Sequence, residues 1–150
     1  MASLQKFKDH FFLLCEAGFV AVNQADEDAA VKLFRASALI NPASTLPKIG
    51  MGYMHMMKLE LKQAIKIFDE IMAIEPHNDM AKAFLGICYA LTTSEVAKGE
   101  KILEQSAQKA EDPMIKKLAV TALDFVEKFV KKAPSPVELQ KSEKDKKKKK

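Results

Sequence analysis

The chain has 150 residues, 48% apolar and 29% charged, with only 5 glycines and 6 prolines; this suits one domain with a sizeable core and leaves too little glycine for the turns of a β-sandwich or a Rossmann sheet. The net charge of +4 arises beyond Lys132, where seven lysines accompany three acids, and the chain up to Lys132 carries 17 charges of each sign. A neutral body without a basic face excludes a phosphate backbone as the expected partner, and the abundance of Ala, Leu, Lys, Glu and Met predicts an all-α fold.

In chain order, the first predicted helix covers residues 4–23. Its apolar run from Phe11 to Val22 is interrupted by Glu16, preceded by Asp9 and His10, and followed by no small-residue cleavage site, so it is not a secretory signal. No stretch approaches the roughly 18 apolar residues of a membrane span. A soluble, cytoplasmic protein is expected, with Cys15 and Cys88 as small buried thiols. The next helix covers 27–41, with Asp26 as its N-cap. Helices over 45–59, capped by Ser44 with Pro47 in the first turn, and over 61–75 follow. Two more span 79–92, opened by Asn78 or Asp79, and 95–111.

Four columns organise these helices. Gly18, Gly52 and Gly86 recur at a 34-residue spacing, and the pairs Ala30 and Ala64, Phe34 and Phe68, and Pro42 and Pro76 share it. A fixed period of this length marks a stack of helical hairpins. Each glycine lets the second helix of its hairpin approach closely, each alanine faces that crossing, each phenylalanine fills the space between helices, and each proline ends the second helix. The third unit departs from the pattern, with Lys98 where alanine is expected and Gly99 available for the small-residue role.

Asp112-Pro113 opens a further helix whose stripe reads Ile115, Leu118, Ala119, Ala122, Leu123, Val126, Phe129, Val130. Such a helix covers the apolar face of a terminal repeat. Residues 1–132 are thus the expected folded domain, and the Pro- and Lys-rich 133–150 an expected disordered tail.

The 34-residue period resembles the tetratricopeptide repeat. That resemblance implies three helical hairpins and a C-terminal capping helix wound as a right-handed solenoid, with a partner held in the groove lined by the first helix of each hairpin. The family's groove positions carry over to Phe12, Cys15, Phe19, Val22 and Asn23, then to Leu46, Ile49, Tyr53, Met56 and Met57, and finally to Met80, Ala83, Ile87, Ala90 and Leu91. None is charged and only Asn23 is an amide. Tetratricopeptide domains that clamp the C-terminal carboxylate of heat-shock chaperones present Lys, Asn and Arg here, where this chain has Cys15, Phe19 and Met80. The expected ligand is instead an apolar amphipathic helix or a second copy of the chain. The cluster Met51, Met54, Met56, Met57 suits an irregular apolar ligand. Met51 and Met54 are expected in the core, while Tyr53, Met56 and Met57 fit core or contact surface equally.

No catalytic or phosphate-binding motif occurs, and His10, His55 and His77 share no metal-ligand spacing with the cysteines. Neither catalysis, a metal nor a cofactor is expected. Asp26-Glu27-Asp28 reads as capping and dipole compensation, and Glu100 and Glu104 as partners of neighbouring lysines on a solvated face.

A small three-repeat protein with an apolar groove resembles the cytoplasmic chaperones of bacterial type III secretion. The segment Ala107-Gln108-Lys109-Ala110-Glu111-Asp112-Pro113-Met114-Ile115 is similar to the last hairpin of the branch that holds the needle subunit. This resemblance implies a needle-type subunit as partner, a second small co-chaperone, and self-association when unliganded. A chaperone of hydrophobic translocators and a general adaptor are the alternatives.

Overall fold

The computed structural model describes residues 4–131, and over them the chain is all-helical, with no strand. A 3-10 segment, Leu4–His10, leads into α1 (Phe11–Asn23) and α2 (Glu27–Ile40). α3 (Leu46–Met57) pairs with α4 (Leu61–Ile74), and α5 (Asp79–Ala90) with α6 (Val96–Lys109). α7 (Pro113–Phe125) packs on α5 and α6 and ends in a π-helical turn, Val126–Lys131. The expected single helix over 4–23 is therefore broken at His10, whose side chain provides no cap bond to α1. The disordered tail expected over 133–150 lies outside the described residues.

The odd-numbered helices touch in series, α1 on α3, α3 on α5 and α5 on α7, forming one layer. Each even-numbered helix packs against the odd helix on either side of it. Short polar caps set the boundaries. The carboxylate of Asp26 accepts from Ala29 N–H at 3.0 Å, the amide oxygen of Asn78 from Ala81 N–H at 2.9 Å, and the carboxylate of Asp112 from Met114 N–H at 2.8 Å. Ser44 Oγ accepts from Leu46 N–H at 3.3 Å, but the cap position itself is Thr45, whose hydroxyl donates to Glu75 instead.

The crossings fall where the columns place them. Ala30, Phe34, Ala64 and Phe68 are buried, and a Cβ on Gly18 would lie 2.5 Å from the Phe34 ring, one on Gly52 2.8 Å from Phe68. Gly99 takes the small-residue role in the third hairpin, since a Cβ there would meet Ala90 Cα at 2.6 Å and Gly86 O at 2.7 Å. Lys98 lies on the surface, its ammonium 3.8 Å from the centre of the Tyr89 ring.

Two expectations are corrected. Phe129 is exposed rather than part of the packed stripe, because the π turn beyond Phe125 advances each residue by a smaller angle and brings Val130 inward instead. Glu100 pairs not with a neighbouring lysine but with Lys131, at 2.9 Å, from the far end of the last helix.

Candidate functional site: the apolar face of the odd-numbered helices

α1, α3 and α5 are apolar on more than one side, because each must pack against an even-numbered helix and against the next odd-numbered one. The expected groove positions divide accordingly. Cys15, Val22, Ile49, Met56, Ala83 and Ala90 are buried, with Val22 and Ala90 each at the wall of a cavity. Phe12 and Met57 are exposed, and Phe19, Leu46, Tyr53, Met80, Ile87 and Leu91 are half-buried. Met54 is buried and Met51 half-buried, each packed within the first hairpin's core as expected.

Phe19 and Tyr53 belong to an aromatic ladder that crosses five helices. Ring centres run from Phe34 to Phe19 at 5.3 Å, to Tyr53 at 5.5 Å, to Phe84 at 5.3 Å and to Phe68 at 5.7 Å. The Tyr53 hydroxyl donates to the Asn23 side-chain oxygen at 2.7 Å. These contacts make Tyr53 a structural residue as much as a surface one.

Two cavities open along this layer. The first, about 340 Å³, lies between Val22, Asn23, Met54 and Met57, with Glu27 and Lys58 at its lip. The Lys58 ammonium sits 2.9 Å from Glu27 and 3.0 Å from Glu60; these bonds hold it above the usual lysine range. Hydrogen bonds from His55 and then Lys58 hold Glu60 below the usual carboxylate range. One end of the layer is thus apolar with a charged border.

The second cavity, about 430 Å³, is lined by Leu59, Ile87, Ala90, Leu91 and Leu103 with Leu118, Thr121, Ala122, Phe125 and Val126. Thr121 brings the only polar side chain. Leu59 is the unusual member. It sits at φ 59°, the left-handed conformation where glycine or asparagine is less strained, and its side chain is 70% exposed. Its backbone closes α3 with Glu60 N–H bonded to His55 O at 2.9 Å and Leu59 N–H to Met56 O at 2.9 Å. Ala25, one repeat length earlier, does the same for α1 at φ 58°. Closing the helix requires the backbone conformation but not a leucine, and Leu59 is not in the core. Leu59 is thus a strained, exposed leucine at the lip of an apolar cleft.

Phe125 and Thr121 were not anticipated as lining residues. They lie one repeat length beyond Leu91 and Ile87, so carrying the period into the closing helix would have found them. Leu59 carries no sequence signal, since its strain is a property of the backbone.

Among the described residues, no group of three or more His, Cys, Asp or Glu side chains is placed to hold a metal. Nor is any helix there long and apolar enough to cross a membrane. Cys15 and Cys88 are free and buried; burial raises both thiol pKa values, that of Cys88 to about 12.

No family model matches the chain, and no curated protein is significantly similar to it. Among solved structures it is similar to the crystal structure of the Yersinia enterocolitica type III secretion translocator chaperone SycD, in an alternative dimer. The TM-score is 0.62 at 19% sequence identity, over 84% of this chain and 96% of that one, a likeness of fold.

Proposed function

We propose that this chain is a non-enzymatic, cytoplasmic chaperone of a bacterial type III secretion system. It is a right-handed tetratricopeptide solenoid that holds an amphipathic helix of a needle subunit along its odd-numbered helices and prevents premature polymerisation, together with a second small co-chaperone. The observation that carries the reading is the apolar cleft with its strained, exposed Leu59. The fold likeness to SycD supports a secretion chaperone, and the Asp112-Pro113 start of the closing helix supports the needle branch. SycD is itself described as a translocator chaperone. That favours a second reading, in which the same face holds a segment of a hydrophobic translocator.

Co-expression separates the readings. With a needle subunit the full chain should yield a stable soluble complex, whereas capture of a translocator alone would move the client to that class. Capture of neither sinks the chaperone reading and leaves a general adaptor. The variants Met57→Asp and Leu59→Asn test the surface, because both side chains are mostly in solvent. Each should abolish or weaken capture with helicity intact, and Leu59→Asn should leave stability unchanged or raise it by up to about 1 kcal/mol. Tyr53→Asp is a poor probe, since it would break the aromatic ladder and the bond to Asn23.

A further inference from the structure

The two cavities of the odd-numbered layer meet at a single turn. Lys58 borders the first, and the next residue, Leu59, borders the second. The layer's helices end at one edge: Asn23 and Met57, the last residues of α1 and α3, line the first cavity, and Ala90, the last of α5, lines the second. A helix laid across the turn between Lys58 and Leu59 therefore touches both.

The cavities differ in chemistry. The second offers apolar walls and the Thr121 hydroxyl. The first has apolar walls, Val22, Met54 and Met57, under a charged border. In that border one ammonium serves two carboxylates, since Lys58 lies 2.9 Å from Glu27 and 3.0 Å from Glu60. Glu60 has a further partner in His55. The Glu27 carboxylate has none besides Lys58 among the described residues, and its side chain is 52% exposed. No neighbouring cation is left over, because Lys32 is engaged by Asp28 at 2.8 Å. The dipoles of α1 and α2 oppose each other at this edge, as do those of α3 and α4, so the field there is set by the side chains. The carbonyl oxygens of Asn23 and Met57 add to it, since among the described residues neither accepts an N–H. The border of the first cavity is thus short of positive charge.

We propose that the partner helix held here carries a lysine or arginine beside its apolar stripe. The basic side chain joins Glu27 at the border of the first cavity while apolar residues fill both cavities. A carboxylate at the same place would meet Glu27 and Glu60 with Lys58 already engaged, and like charges there reject it. Such selectivity rests on the chaperone reading for an amphipathic helix on this face, and it adds a rule for which helices are accepted.

Synthetic amphipathic helices test the rule on the full chain at pH 8. The probes share one leucine stripe and differ only in the residues that flank it: lysine, glutamine or glutamate. The lysine probe should bind roughly tenfold or more tightly than the glutamate probe, with glutamine between them and the gap narrowing as salt is added. The overall charge of +4 works against this order, so a preference for lysine reports the local border. Glu27→Gln with Glu60→Gln should abolish the preference with helicity kept, and the order of the three probes on the unaltered chain stands without that variant. Equal binding of the probes, a preference for glutamate, or a lysine preference that survives both substitutions overturns the proposal and leaves the apolar face as a binding site. Binding of none of them removes the face as a helix site, and the chaperone reading falls with it. Sedimentation of the free chain tests the rival occupant: a dimer that dissociates on the two substitutions would put a second copy's lysine at Glu27 and overturn the proposal.

Discussion

Phe34 is held between glycines of two hairpins. A Cβ on Gly18 of α1 would press on its ring, and so would one on Gly50 of α3. The side chain thereby joins the first hairpin to the second, and neither glycine can gain a methyl group unless the ring moves. Gly99 is tighter in kind, because its neighbours are the backbone of Ala90 and the carbonyl of Gly86 rather than a side chain able to turn. Gly99→Ala should therefore destabilise more than Gly52→Ala, near or above the top of the roughly 1–3 kcal/mol expected for overpacking, despite alanine's better helix propensity. Urea denaturation of the two variants checks the order; equal losses would mean that α6 can slide on α5.

Cys88 supplies a second expectation at this scale. Burial raises its pKa from 9.0 to about 12, so the folded state keeps the thiol proton that the unfolded state releases. The sign follows: stability from this group is complete below pH 9 and is lost as pH rises towards 12, by up to about 1.4 kcal/mol per pH unit. Tyr53, raised by burial, and Lys58, raised by its carboxylate partners, act in the same direction. Denaturation midpoints between pH 8 and 11 should fall for the native chain and fall less steeply for Cys88→Ala. Parallel curves would show that the thiol titrates normally.

Among the elements, α7 depends most on its first residue. Asp112 accepts from Met114 N–H, and Pro113 fixes the first turn. Asp112→Ala should cost about 1 kcal/mol, read as a lower thermal midpoint with the helical content of α1 to α5 kept. The start of α7 was legible in the sequence because a cap and a proline act through local backbone chemistry. Its end was not, since no cap or proline marks the shift to a π turn at Val126, which packs with Ala90, Leu103 and Ala119. The same division holds along the layer. The glycine, alanine and phenylalanine columns mark where backbones cross, and a crossing demands a particular size at a particular place. The groove positions mark only that a residue is apolar. In α1, whose segment Phe-Phe-Leu-Leu-Cys-Glu-Ala-Gly-Phe-Val-Ala-Val carries one charge, apolar character cannot separate Cys15, which is buried, from Phe12, which is not. Gly50 and Phe84 were missed for a related reason: both make contacts between hairpins, off the repeat columns.

At the scale of the whole molecule, the likeness to SycD over most of both chains at 19% identity shows how little sequence this stack of helices requires. The regular spacing of Gly18, Gly52 and Gly86 is repeated in the backbone, where Ala25 and Leu59 close α1 and α3 in the same left-handed conformation. The aromatic ladder from Phe34 to Phe68 touches α1 through α5 and leaves α6 and α7 outside it. Repeat proteins can open one unit at a time, but the ring contacts α2 to α1, α1 to α3, α3 to α5 and α5 to α4 couple the first five helices to one another. Their amides should exchange hydrogen for deuterium through one shared opening event, while α7 and the π turn exchange sooner, by separate and less costly excursions. Earlier exchange in α1 and α2 than in α7 would contradict this. The ladder thus sets a direction of unravelling: the wall bearing Phe125 loosens first, and the floor bearing Ile87 and Leu91 stays in place.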